Sequence, residues 1–217
     1  MRQYFDSQLK ELNKSLQNMG SLCEDCITCA TQALLTGSSE LGDKAIELER
    51  ETDICEREIQ SLCMKILYTQ QPVARDLKTV SAALKMITDL ERIGDQGSDI
   101  AELLRHTSID IRSNSSHIAA MADATIKMVT GSVDAFVRHD AQLAVQVARQ
   151  DDEVDALFTQ VKDDVLTMIT SGEKHDRNFA EQVLDTLMIA KYLERIGDHA
   201  VNVTEAVRMG LGETEEN

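Results

Sequence analysis

Tryptophan is missing from this chain, proline occurs once, and aromatic residues make up 3% of its 217 positions. Such a composition gives little support to a sheet, which draws on aromatic and β-branched residues. No apolar run approaches the ~18–20 residues that cross a bilayer, so no membrane insertion is expected. Met1-Arg2-Gln3-Tyr4 opens no signal peptide. Positive charge is also scarce, and the formal net charge is -16. That balance argues against a nucleic-acid backbone or an anionic membrane surface as the main partner, and it suits cations. A soluble, cytoplasmic protein is expected.

Catalytic signatures are missing too. None of His106, His117, His139, His175 and His199 has a glutamate three residues before it. A ferritin-like di-metal oxidase needs such pairs on facing helices. No Ser-His-Asp pattern, glycine-rich phosphate loop or Walker motif appears. No catalytic residue is therefore assigned. Five cysteines, an odd number, do not make a disulfide framework. Cys23, Cys26 and Cys29 recur every third residue, yet their helical setting lacks the turns that wrap a cluster. They read as small helix residues partly buried in a core. His199 reads as a solvated or capping residue.

What the chain does have is alanine, leucine, glutamate and aspartate, a mix that favours helix. It also has a repeat. Leu90-Glu91-Arg92-Ile93-Gly94-Asp95 returns as Leu193-Glu194-Arg195-Ile196-Gly197-Asp198. The flanks follow at the same offset, with Leu77, Val80, Leu84 and Ile87 answering to Ala180, Val183, Leu187 and Ala190. A repeat of this length implies two similar structural units.

Apolar periodicity and breakers predict six helices. They cover about 6–35, 40–68, 72–104, 117–138, 142–169 and 176–209. Gly37 and Ser38-Ser39 separate the first pair, Pro72 opens the third, Asp140 is an N-cap, and Asp176 or Asn178 caps the sixth. Asp110 to Ser116, with Ser113-Asn114-Ser115-Ser116, marks the joint between halves, and Ser171-Gly172 closes the fifth helix. Gly210 to Asn217 reads as a frayed acidic tail. The expected fold is all-α, with two tandem, pseudo-symmetric three-helix bundles over residues 1–110 and 111–217.

The chemistry falls on the third helix of each unit. At 100° per residue the stripe Leu77, Val80, Leu84, Ile87 continues into Glu91, Asp95 and Glu102, with Asp99 on its shoulder. Its counterpart passes from Val183, Leu187 and Ala190 into Glu194, Asp198 and Glu205, with Asn202 beside them. Leu90, Ile93, Ile100 and Leu104 form a second, core-facing side. Like charges one turn apart cost roughly 0.2–0.5 kcal/mol per pair, so a cation offsetting them is one reading. Arg92 and Arg195 can each reach the aspartate three residues on. Oxygen-only clusters suit magnesium, calcium, manganese or iron. The second helix of each unit adds Glu49, Asp53 and Glu56, echoed by Asp152 and Asp155. A solvated acidic face with intrahelical ion pairs is the other reading.

The paired hexapeptides, Gln71-Pro72-Val73-Ala74-Arg75-Asp76-Leu77, the acidic segments around Asp53 and Asp152, and Met1-Arg2 with Phe5-Asp6 resemble the PhoU family. These are phosphate-specific transport accessory and regulatory proteins of bacteria. The resemblance covers the whole chain. It implies two three-helix bundles side by side and carboxylate-bound divalent or trivalent metal ions: iron, manganese, magnesium, calcium or zinc. The ligands it implies are Glu91, Asp95, Asp99, Glu194, Asp198 and Asn202, with Asp53 and Asp152. Asn202 stands where the first half has Asp99, and a neutral ligand there would set the two sites apart. The resemblance further implies two partners, the ATPase subunit of the phosphate ABC transporter and the phosphate-sensing histidine kinase. It is also compatible with a homodimer. A metal-carboxylate enzyme and a metal-free helical adaptor are the competing classes.

Overall fold

A computed structural model describes residues 2–73, 75–106, 115–170 and 176–213. Helices α1 (Arg2–Thr36), α2 (Ser39–Gln70) and α3 (Arg75–His106) form the first unit. The second contains α4 (Ser115–Arg138), α5 (Ala141–Ala148), α6 (Asp151–Thr170) and α7 (Arg177–Leu211). No strand occurs among the described residues. None of the helices found there is long and apolar enough to cross a membrane.

Local chemistry sets most of the ends. Gly37 adopts φ +72°, which an L side chain resists, and its amide closes on Ala33 O at 2.8 Å. Ser38 then caps α2 by accepting from Leu41 N. Asp140 and Asp176 cap α5 and α7, accepting from Leu143 N at 3.0 Å and Phe179 N at 2.9 Å. Pro72 lies ahead of α3 rather than at its first position, since Gln71 takes a left-handed cap and the helix begins at Arg75. α7 runs on through Gly210 to Leu211 and ends at Gly212 in the left-handed region. Of the expected joint, Ser115 and Ser116 open α4, and residues 110–114 fall outside the described residues, as do Ser171-Gly172 and the tail from 214.

One expected helix is divided. A turn at Arg149-Gln150 separates α5 from α6, with Arg149 N bonded to Val145 O and Gln150 N to Val147 O. α6 then starts on Asp151, Asp152 and Glu153. Carboxylates in a first turn meet the positive end of the helix dipole.

One continuous core joins both units. α1 contributes Leu12, Leu16, Met19 and Ile27, and the hexapeptide helices contribute Leu90, Ile93, Leu193 and Ile196, all fully buried. Burying each such side chain is worth about 1.5–3 kcal/mol. The cysteines are free and buried. Cys23 donates to Leu90 O at 3.2 Å and Cys26 to Ala45 O at 3.3 Å, which ties α1 to α3 and α2. Burial pushes the Cys26 thiol up to about 12, so it stays protonated.

α3 and α7 pack against each other along much of their length. Ala82 meets Gly210, Lys85 meets Met209, and Asp89 meets Asn202. Rising numbers on one helix against falling numbers on the other show that they run antiparallel. Asp89 and Tyr192 are equivalent positions of the two repeats, as are Asp99 and Asn202. Asn202 contacts Asp89, and Asp99 acts on Tyr192. The units are thus related by a local two-fold about the α3–α7 seam.

Candidate metal-binding face

Three directions around α3 fix where the acids point. Gly97 faces α1, where an added Cβ would stand 2.7 Å from Cys26 Sγ. Gly94 faces α2, where it would meet Thr52 Cγ2 at 3.3 Å. Glu91, Asp95 and Glu102 are left on the remaining side, half-buried or exposed. α7 repeats the geometry with Glu194 and Asp198.

In the first unit Glu91 and Asp95 share a field with Glu49, Asp53 and Glu56 of α2. Burial raises Glu91, and Asp95, Glu56 and Asp53 raise it further against Arg92. Glu49 is raised by burial and then by Asp53 and Asp95. α2 and α3 therefore bring their carboxylates together. Arg92 answers part of that charge, 3.0 Å from Asp95 Oδ2 and 3.5 Å from Glu91 Oε2.

The second unit gathers Glu194 and Asp198 of α7 with Asp151 and Asp155 of α6. Burial comes first in pushing Asp151 up to about 6, followed by Asp155, Asp198 and Glu194. Asp198 is raised by burial and by Glu194 and Asp155. Lys191 pairs with Glu194. Asp152, the residue named from the sequence, is exposed, as are Asp155 and Asp198, and it acts on Asp151, which lies over Gly197. Asp151 occupies the position that Thr52 holds over Gly94, which is the signal that could have found it.

Asp99 stands where this face meets the seam, and Asn202 lies in the seam. Burial raises Asp99, Asp95 and Glu102 raise it further, and Arg195 opposes them. Tyr192, in turn, is raised by burial and by Asp99. Asn202 Nδ2 donates to Asp89 Oδ1 at 3.1 Å. Both residues therefore reach the α3–α7 seam. Arg195 serves Asp99 there, in contrast to Arg92, which pairs with Asp95. His199 is half-buried and caps no helix end, since its Nδ1 lies 3.0 Å from Asp89 Oδ1.

The donor set fits a hard cation. It offers oxygen only, its members raise one another's carboxyls, and lysine and arginine already reach into it. Among the described residues, no three potential ligands already surround one point. An ion would have to draw these side chains inward.

An all-α protein of two repeated three-helix units, with a carboxylate set on the third helix of each, is the class this fold and face define. The PhoU domain matches it twice, over residues 16–104 and 118–207. The chain belongs to the PhoU family. A phosphate-specific transport system accessory protein PhoU homolog of Clostridium acetobutylicum is 31% identical over 207 residues, covering 94% of this chain and 93% of the relative. The homolog of that name in Pseudomonas aeruginosa is 32% identical, covering 94% and 84%. The crystal structure of PhoU from P. aeruginosa superposes with TM-score 0.86 at 31% identity, over 97% of this chain and 100% of the other. A phosphate transport system regulatory protein PhoU from Streptococcus pneumoniae shares the fold, with TM-score 0.86 at 23% identity over 98% and 100%.

Proposed function

We propose that this protein is a cytoplasmic, non-enzymatic regulator that limits phosphate uptake and holds down the phosphate-starvation response when phosphate is plentiful. Its relatives carry the name of phosphate transport accessory proteins, and family membership over both repeats supports the reading. It acts by binding the ATPase subunit of the phosphate ABC transporter and the phosphate-sensing histidine kinase. The observation that carries most weight for a binding role is the duplication of one acidic face. A molecule with two similar faces suits bridging two partners.

The same faces are proposed to hold metal ions. Glu49, Asp53, Glu91 and Asp95 would bind in the first unit, and Asp151, Asp155, Glu194 and Asp198 in the second. A bound cation would supply charge neutralisation and cross-link the second and third helices of a unit. Replacing Glu91 and Asp95 together by alanine should abolish first-unit metal uptake in equilibrium dialysis and leave helicity unchanged. Loss of helicity would assign them a structural role instead.

Deleting the gene should raise starvation-gene expression in rich phosphate, and unchanged expression would refute the regulatory reading. A pull-down from cells grown in high phosphate should recover the transporter ATPase or the kinase, with bound metal quantified on the same sample. Stoichiometric iron or manganese with neither protein recovered would favour the metal-carboxylate enzyme.

A further inference from the structure

The groove between α6 and α7 changes character along its length. One end holds Asp151, Asp155, Glu194 and Asp198. Phe158 follows, with Lys162 Nζ 4.8 Å and Lys191 Nζ 5.7 Å from its ring centre. Beyond it the surface turns apolar. Leu166 and Leu184 are 57% and 61% exposed, and Leu187 is half-buried. Asp151 lies over Gly197 and Phe158 beside Lys191, so α6 and α7 run antiparallel. That register brings Leu166 level with Leu184. Leu187 also belongs to the stripe that runs on through Ala190 into Glu194 and Asp198.

We infer that this groove docks a cationic amphipathic helix of another protein. Its apolar side chains would cover Leu166, Leu184 and Leu187, while its lysines or arginines take the place of a metal ion at Asp155, Glu194 and Asp198. Charge selects this occupant. α6 carries six carboxylates and one lysine, and the whole chain has net charge -16. A second copy brings the same sign, and an anionic bilayer is repelled in the same way. A basic helix satisfies both ends of the groove, because an apolar face set in a groove is a standard mode of helix recognition. From Leu187 to Asp198 the rise is about 16 Å at ~1.5 Å per residue. The partner's cations therefore sit about three turns from its apolar anchors. The inference rests on the regulatory reading only in requiring a protein partner, and it names the surface and chemistry of that contact.

The test places a photoreactive group on the full chain by Leu184→benzoylphenylalanine. Ile54→benzoylphenylalanine on α2, also at an exposed site, serves as control. Both are irradiated in cells grown in rich phosphate, and the captured peptide is sequenced. The expected result is an adduct at position 184, absent from position 54. The captured segment should carry apolar residues at helical spacing and at least two lysines or arginines about three turns away. Leu166→Gln or Asp155→Lys should each reduce the adduct at least tenfold with helicity unchanged. A captured segment without that pattern, a cross-link to a second copy or to lipid, or no adduct would overturn the inference. Starvation genes that respond to deletion alongside a failed adduct would reject the groove and leave the regulatory reading standing. The reverse pair of results would do the opposite.

Discussion

Asp151 sits where only a glycine opposite leaves room, for a Cβ on Gly197 would stand 2.7 Å from its Oδ1. The glycine of the repeated hexapeptide is thus a place for a neighbour's carboxylate. At Gly94 the neighbour is Thr52, whose hydroxyl bonds to Leu48 O at 3.0 Å within its own helix. One motif therefore serves two different facing residues.

Gly197→Ala should push the Asp151 carboxylate out of its position. The new side chain gains about 1 kcal/mol of helix propensity, so stability should change by less than about 1 kcal/mol. Cation binding by the second unit should weaken about tenfold, or about 1.4 kcal/mol, in calorimetric titration with manganese. Gly94→Ala meets the Thr52 side chain and no carboxylate, and it should leave cation binding nearly unchanged. Equal effects at both positions would show that Asp151 is no ligand.

Asp151 also predicts a pH dependence. Its carboxyl rises from 3.8 to about 6 through burial and neighbouring carboxylates. The folded protein keeps that proton where the unfolded chain has released it, so stability falls as pH rises between these values. The penalty is complete above the folded value and absent below the unfolded one. Asp151→Asn should accordingly raise Tm by about 1–3 °C at pH 7.5 without metal, and the gain should vanish near pH 4. A gain that persists at pH 4 would trace it to something other than this charge.

The helices and the duplication were legible in the sequence because both rest on short-range pattern. The hexapeptide marked equivalent helices, and Asp140 and Asp176 marked helix starts with the chemistry of an N-cap. The break at Arg149-Gln150 was hidden because it has neither glycine nor proline. Its sign is the Asp151-Asp152-Glu153 cluster of a new first turn. The first-unit acids were readable from spacing on two helices. The seam was not, because the hydrogen bond of Asn202 to Asp89 and the field of Asp99 on Tyr192 depend on the register between α3 and α7. That register is set by tertiary packing such as Gly210 against Ala82.

Gly97 gives a prediction about the core. Its missing side chain admits Cys26 Sγ, which lies 2.7 Å from where a Cβ would be. Cys26 is fully buried and bonded to Ala45 O, so it has little room to retreat. Gly97→Ala should destabilise the protein by about 1–3 kcal/mol in urea unfolding, the usual cost of overpacking. Cys26→Ala should relieve most of that in the double variant, giving a coupling energy of at least about 0.5 kcal/mol. Additive effects would separate the two residues.

Asp89 predicts how strongly the two repeats are held together. One oxygen, Oδ1, accepts from both His199 and Asn202, and the side chain is only 14% exposed. Asp89→Ala leaves an imidazole and an amide without their acceptor, at a cost of about 1–3 kcal/mol. For a chain of this size that lowers Tm by about 2–4 °C per kcal/mol. Asp43, paired with Arg105 on the surface, is the control, because an exposed pair contributes about 0–1 kcal/mol. Hydrogen exchange should locate the difference, with Asp89→Ala loosening amides on both α3 and α7 and Asp43→Ala affecting neither. If α7 stays as protected as before while the rest loosens, the seam is held by Gly210 and its apolar neighbours, and the polar pair only sets its register.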